Sequence, residues 1–435
     1  MYSETKASGV EWLGDVPKDW QTVASKYLYS IQLGKMLQNV AQSKSDVQVA
    51  YLKSVNVQWE NVNIDDPDTK MWASKAELRQ YDIQEGDLLV CEGGEVGRAG
   101  IVPKLPEKFI IQNALHRVRS KSNDLRYLMY LLEAATAVNW FDVLCNRATI
   151  AHFTSEKFGA LRFARPSLPE QQQIAAFLDR KTAELDAVLR LKERQLELLA
   201  EKRQALISQA VTRGLDPTAP LKPSGIPWLG EVPVHWGMKK IAWLFRIIGS
   251  GTTPSSGDES FYDGEFPWVN TGELNDNVIE ETKKSVTEKA MHNLSALRLF
   301  PVDTLLIALY GATIGALGIL GIPATTNQAC CALADPRGIS IEFAFYWFIG
   351  NRRHIIAMAY GGGQPNISQE LVKQLRLALP PLKEQEAIVA QLKQEAAYID
   401  RITHTTRAQI ETVREYRQAL ISAAVTGKID VRGLA

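Results

Sequence analysis

Residues 170–213 contain neither glycine nor proline across 44 positions, and core-type side chains recur along them in alternating steps of four and three. The positions are Leu178, Thr182, Leu185, Leu189, Lys192, Leu196, Leu199, Arg203, Leu206 and Ala210. That stepping describes the narrow seam of a coiled coil rather than the broad stripe of a helix lying on a globular core. At 1.5 Å per residue the helix would run about 65 Å, too long to be covered by one small core. It requires a second helix, and one follows 214 residues later. Residues 384–427 place Leu392, Ala396, Ile399, Thr403, Thr406, Ile410, Val413, Arg417, Leu420 and Ala424 at the same seam positions. Arg203–Ser208 (RQALIS) returns unchanged as Arg417–Ser422, and Ala210-Val211-Thr212 as Ala424-Val425-Thr426. In both copies polar residues interrupt the seam at 192/406 and 203/417, which sets register at some expense of stability. The expectation is an antiparallel helix pair acting as a rigid spacer, with Leu178, Leu185, Leu189, Leu196, Leu199, Leu206, Leu392, Ile399, Ile410, Val413 and Leu420 as its apolar seam.

A second repeat precedes each helix. Gly9–Trp20 (GVEWLGDVPKDW) is matched by Gly225–Trp236 (GIPWLGEVPVHW), with seven of the twelve positions identical. Two Trp flanking a Gly–Pro turn suit a small apolar anchor at the entry of each domain. Between anchor and helix lie 21–165 and 237–380. There, alternation and β-branched residues predict short strands at 47–57, 87–91, 109–118, 266–270, 304–309 and 327–333, and helices at 125–144 and 341–358. Residues 215–224, with three Pro in ten positions after Arg213-Gly214, read as a semi-rigid surface linker. The fold class is therefore α+β with an internal pseudo-two-fold repeat: two mixed domains separated by a pair of long helices. Its segments are 1–165, 166–214, 215–379 and 380–435. The two copies stayed alike in their frames and diverged in their modules, as expected if like frames meet the same partner twice and unlike modules touch different things.

Composition narrows the function. Equal numbers of basic and acidic residues, 49 each, leave no net charge, and no segment departs from neutrality by more than two charges. A nonspecific polyanion binder, whose affinity rests on a basic surface, is thereby disfavoured. The four Cys (91, 145, 330, 331) have neither metal-ligand nor disulfide-framework spacing. No targeting segment is evident at the N-terminus, so a cytoplasmic location is expected. Residues 305–324 are uncharged and long enough to span a bilayer, but their counterpart at 88–102 carries Glu92, Glu95 and Arg98. Two buried strands joined by a Gly turn is the better reading.

No phosphate loop, HExxH, GxSxG or dinucleotide fingerprint occurs, nor an amino-methyltransferase (Asn/Asp)-Pro-Pro-aromatic motif. Neither catalytic residues nor metal ligands are assigned. The modules do offer side chains that can read bases, since Gln and Asn pair bidentately with adenine and Arg or Lys with guanine. In the first module these are Lys35, Lys53, Asn56, Arg98, Gln112, Asn113, Arg117, Arg147 and Thr149. In the second they are Thr252, Thr253, Asn270, Thr271, Tyr310, Thr313, Asn327, Gln328, Asn351, Arg352, Gln364, Asn366 and Ser368. The loops Gly249–Pro254 and Gly361–Ser368 stand out, because Gly turns with hydroxyls can approach phosphates closely.

The whole chain resembles the DNA-specificity subunits of type I restriction–modification systems. The resemblance is carried by Pro166-Ser-Leu-Pro-Glu-Gln171 and Pro380-Pro-Leu-Lys-Glu-Gln385 leading into the long helices. The RQALIS segments, the paired Trp-Leu-Gly anchors and Gly363-Gln-Pro-Asn-Ile-Ser368 add to it. It implies two target-recognition domains, each reading one half of a split duplex DNA site, and helices that set the unread gap and dock two methyltransferase subunits. It further implies that this chain carries no cofactor, with S-adenosylmethionine, ATP and Mg on partner subunits and restriction subunits able to join. One departure is that the first module has Leu33-Gly34-Lys35-Met36 where the second has Gly-Thr-Thr-Pro. The alternative is a coiled-coil adaptor bridging two protein or RNA partners.

Overall fold

The computed structural model describes residues 2–65, 69–145, 152–359 and 366–434. Two uninterrupted helices, Leu168–Arg213 and Leu382–Val425, dominate the secondary structure. Each is closed by a glycine in the left-handed region, Gly214 at φ +74° and Gly427 at φ +72°, as favoured just past a helix end. They pair antiparallel, since residue numbers fall along one helix as they rise along the other. Asp186 meets Arg417 at 3.1 Å, Lys192 meets Gln409 at 2.8 Å, Glu193 meets Arg414 at 3.1 Å, and Arg203 meets Asp400 at 2.8 Å. All twenty seam positions are buried or half-buried, whereas Leu191 and Leu198 on other faces are exposed.

The chain forms two compact units, Met1–Glu193 with Arg407–Ala435, and Arg194–Thr406. The division crosses both long helices, so each unit holds one module together with part of each helix. In the first unit a five-stranded sheet runs Ser30–Leu33, Leu115–Arg119, Leu88–Cys91, Ala99–Ile101, Glu60–Asn61. A three-stranded sheet beside it runs Phe109–Ile111, Val47–Leu52, Lys70–Ala73. In the second unit the five strands are Phe245–Gly249, Cys330–Pro336, Leu305–Ala308, Leu317–Leu320 and Asn277–Ile279. Its smaller sheet is Ser285–Val286, Tyr262–Val269, Thr325–Thr326. Order and direction correspond strand for strand, including one parallel pair in each sheet. The two modules therefore share a topology that their sequences hardly disclose.

The sequence-predicted strands shorten and split. The 109–118 run is two strands separated by a turn at Asn113-Ala114, and 47–57 ends at Leu52 before a short 3-10 turn, Ser54–Asn56. The 125–144 helix is broken between Ala137 and Trp140, where Asn139 adopts φ +56°. Residues 305–324 form two antiparallel strands around the Gly311–Gly315 turn, and no helix among the described residues is long and apolar enough to cross a membrane. The linker is not wholly free chain, because Leu221–Pro223 pairs with Glu231–Pro233 of the second anchor, as Thr5–Ala7 pairs with Asp15–Pro17 of the first.

The repeated motifs hold each module to the helices. Gln171 is buried; its carbonyl accepts from Asp124 N (2.9 Å) and its amide donates to the Pro166 carbonyl (3.0 Å). Gln385 does the same with Ser340 N (2.8 Å) and the Pro380 carbonyl (2.9 Å). Asp124 and Ser340 cap the module helices Leu125–Ala137 and Ile341–Ala357, so one amide side chain ties a module helix to the start of a long one. Glu384 accepts from His235 and Trp236, and Glu170 from Tyr2. At the other end, Ile421, Ala424 and Val425 enter the core around Trp20 and Tyr127, while Ile207, Ala210 and Val211 enter the core around Trp236 and Trp347. The segments that repeat unchanged are thus the ones that close a core.

Candidate nucleic-acid interface

In the second unit strands Phe245–Gly249, Leu305–Ala308 and Tyr262–Val269 all end, and Cys330–Pro336 and Leu317–Leu320 begin, at one edge of the module. The loops that follow or precede them converge there. Backbone meets backbone at Gly251, where a Cβ would overlap the Thr326 carbonyl, and Gly251 N donates to Thr326 Oγ1 at 2.9 Å. Trp268 Nε1 donates to the Thr252 carbonyl, and Tyr262 OH to that of Pro254, fixing the Gly-Thr-Thr-Pro loop. Thr253 Oγ1 donates to Gln328 Oε1 at 2.5 Å, and Asn327 Nδ2 to Asn270 Oδ1 at 3.3 Å. Thr252, Thr253, Asn270, Thr271, Asn327 and Gln328, scattered over 77 positions in the sequence, therefore share one surface, with Thr253 and Gln328 exposed. Tyr310 and Thr313 lie on the next loop of the same edge, and Tyr310 bridges to Asn366. Ser368 is taken up as the cap of Gln369–Gln374.

The first unit repeats this edge with different residues. Gly34 occupies the place of Gly251, since its Cβ would overlap the Gln112 carbonyl, and Lys35 bridges to Gln112. The missing Gly-Thr-Thr-Pro signature thus conceals the same backbone approach. Lys53 occupies the place of Asn270, each preceding a short turn closed by a reciprocal cap, with Asn56 and Glu273 as the third residues. Gln112 and Asn113 are half-buried at the rim.

Several candidates are occupied inside the protein. Lys35 is 7% exposed, with Nζ on Glu77 (2.6 Å) and Gln38 (2.8 Å), and its hydrogen bond holds the Glu77 carboxyl below its ordinary range. Asn56 is buried, accepting from Lys53 N and donating to the Asn63 carbonyl. Arg117 is a strand residue, not a loop one; its guanidinium binds Asp82 at 2.8 Å and the Gln80 carbonyl at 3.1 Å. Asn351 is 2% exposed and donates to the Trp347 carbonyl of its own helix. These four have the right chemistry for bases but are buried with side-chain atoms engaged by protein partners, as burial favours. Arg98 pairs with Glu95 and the Ser54 carbonyl, and Arg352 with Asp276. Arg147, Thr149 and Gln364 lie outside the described residues, as does Gly361–Pro365.

Residue type also passed over part of this edge. Met36 and Val40 follow Gly34 and are three-quarters exposed, and Val55 stands exposed beside Lys53. Apolar loop tips look like core residues until the fold leaves them outside. Among the described residues no group of three or more His, Cys, Asp or Glu is arranged to hold a metal ion. All four Cys are buried, and burial pushes the Cys330 and Cys331 thiols up to about 12, far from a nucleophile's range.

Comparison with known proteins follows the repeat. The family model described as type I restriction modification DNA specificity domain matches twice, over residues 17–198 and 233–412. The putative type I restriction enzyme MjaX specificity subunit of Methanocaldococcus jannaschii is 22% identical over 453 residues, covering 99% of this chain and 98% of that protein. The EcoR124I/EcoR124II specificity subunit of Escherichia coli is 25% identical over 272 residues, 59% of this chain and 60% of that protein. Among solved structures, one described as the structural basis of complex assembly and conformational transition of the type I R-M system superposes with a TM-score of 0.74 at 15% identity. It covers 95% of this chain and 99% of its own. The HsdS subunit from Thermoanaerobacter tengcongensis gives 0.56 at 15% identity, over 95% and 98%. At these identities the structures establish the shared fold.

Proposed function

The chain belongs to the type I restriction–modification DNA specificity family, and we propose that its two modules each read one half of a bipartite, asymmetric duplex DNA site without performing catalysis themselves. The observation that carries this reading is the pair of equivalent module edges, built on the same glycine approach yet furnished with different side chains. Gly251 is followed by Thr252 and Thr253, Gly34 by Lys35 and Met36. Equal frames with unequal reading surfaces suit two different half-sites. Base edges in the major groove are distinguished by side-chain donors and acceptors on such loops.

In this proposal the helix pair sets the unread gap and docks methyltransferase subunits, two of them because the frame is repeated. S-adenosylmethionine, ATP and Mg belong to partner subunits, and restriction subunits join the same assembly. The neutral charge of the chain fits a reader that borrows part of its basic surface from partners. Family membership favours this account over an adaptor of protein or RNA partners. Replacing residues 21–165 with another module, followed by methylome sequencing of the host, is expected to change one half of the methylated motif and leave the other intact. A change in both halves, or in neither, would refute the modular reading.

A further inference from the structure

Arg298 lies just before the second unit's Leu305–Ala308 strand, and residue type alone gave no reason to single it out. Its guanidinium sits 5.1 Å from the centroid of the Phe300 ring and lies over Gly249, where any Cβ would overlap Nη2. Gly249 ends its strand two residues before Gly251, so Arg298 flanks the Gly-Thr-Thr-Pro loop. Among the described residues it has neither a carboxylate partner nor a hydrogen-bond acceptor, and the residue is exposed. The first unit gives a contrast. Arg117 lies between Gln32 and Leu89 in its ladder as Ala332 lies between Gly249 and Leu306. There the guanidinium grows from the sheet itself and is tied down through Nη1 by Asp82 and the Gln80 carbonyl. In the second unit the equivalent strand residues are small, and the guanidinium arrives from the neighbouring segment with its N–H groups free.

A guanidinium held over an aromatic ring keeps its planar fork of donors and loses little freedom on binding. We propose that Arg298 is a DNA-contacting residue of the second module. Its fork takes paired acceptors on the duplex, either the O6/N7 edge of a guanine or two oxygens of one phosphate. The inference rests on the proposed function and adds to it a residue and a contact chemistry.

The test uses the full chain with co-expressed methyltransferase subunits, on the duplex defined by methylome sequencing, for Arg298→Ala, Arg298→Lys and Gly249→Ala. If the acceptor is guanine, Arg298→Ala relaxes one position of the second module's half-site, with discrimination there falling roughly 5- to 150-fold. If it is phosphate, the motif is unchanged and the slope of log affinity against log salt falls by about one. Arg298→Lys keeps the salt slope in either case and, without the planar fork, weakens guanine discrimination less than Arg298→Ala does. Gly249→Ala displaces the guanidinium and follows Arg298→Ala. An Arg298→Ala protein with wild-type motif and wild-type salt slope would overturn the inference while the split-site reading stands. Loss of the whole half-site rather than one position would make the role structural and overturn it equally. A wild-type complex without a split motif would instead sink the proposed function.

Discussion

Arg203 and Arg417 stand at equivalent positions of the repeat, 214 residues apart, yet substituting each by methionine is expected to have unequal consequences. Arg417 has a 15% exposed side chain and binds three carboxylates from three elements. These are Glu60, Glu133 Oε1 at 2.6 Å and Asp186 at 3.1 Å. Glu133 is itself buried, with its second oxygen unpartnered. Removing the arginine leaves a buried carboxylate uncompensated, which costs about 3–5 kcal/mol, and methionine fills much of the volume so that packing loss stays minor. Arg203 has a 42% exposed side chain and one partner, Asp400, which is 57% exposed. Such a surface pair is worth about 0.2–1 kcal/mol. Two compact units make one global unfolding free energy ill-defined, so the assay is hydrogen exchange read helix by helix. Arg417→Met is expected to lower protection of Leu125–Ala137 by on the order of a hundredfold or more, from 1.4 kcal/mol per decade. Arg203→Met is expected to leave Ile341–Ala357 within about fivefold of wild type. Equal losses in the two units would refute the account of how neighbouring carboxylates and burial decide the worth of an arginine.

The same cluster gives a pH dependence. The Glu60 carboxyl is pushed up to about 7, chiefly by burial, with Arg417 opposing and Glu133 and Asp186 adding repulsion. A raised carboxylate favours folding while protonated. Its stabilisation is therefore full below the ordinary value near 4.5 and is lost as pH rises through about 7. Lowering pH from 8 to 6 should strengthen the first unit by about 1 kcal/mol, and Glu60→Gln should remove that dependence in hydrogen exchange. Gln171→Leu and Gln385→Leu should each cost about 1–3 kcal/mol, in similar measure, by orphaning Asp124 N and Ser340 N; hydrogen exchange of Leu125–Ala137 and Ile341–Ala357 compares them. Gly427→Ala should destabilise more than Gly214→Ala. Both sit at positive φ, but the new Cβ overlaps Pro17 in the first case and meets Trp236 and Glu384 no closer than 3.3 Å in the second. Inserting four residues into each long helix, after Glu193 and after Thr406, should lengthen the unread gap of the methylated motif by roughly two base pairs, at 1.5 Å per residue and 3.4 Å per base pair; an unaltered gap would count against the helices as spacer.

What could be read from the chain alone was whatever depends on local periodicity and on exact repetition. The long helices, expected over 170–213 and 384–427 and found at Leu168–Arg213 and Leu382–Val425, their seam and the twin anchors follow from side-chain spacing along one element, and an amphipathic seam of that length admits few partners. The apolar roles of Trp20 and Trp236 follow from the repeated anchors, whereas the burial of Ile207 and Ile421 was decided by packing against the modules. The modules were decided by tertiary structure, because their strands are short, two of the pairings in each are parallel, and the paired segments lie far apart in sequence. That is also why Gly34 could be matched to Gly251 only in three dimensions: the constraint is one backbone passing close to another, and the residues around it are free to differ. Candidate readers divided along the same line. Residue type identifies a side chain able to hydrogen-bond a base, but only the fold determines that Lys35, Asn56, Arg117 and Asn351 are buried against protein partners, while Thr253 and Gln328, bonded to each other, and Arg298 stand exposed.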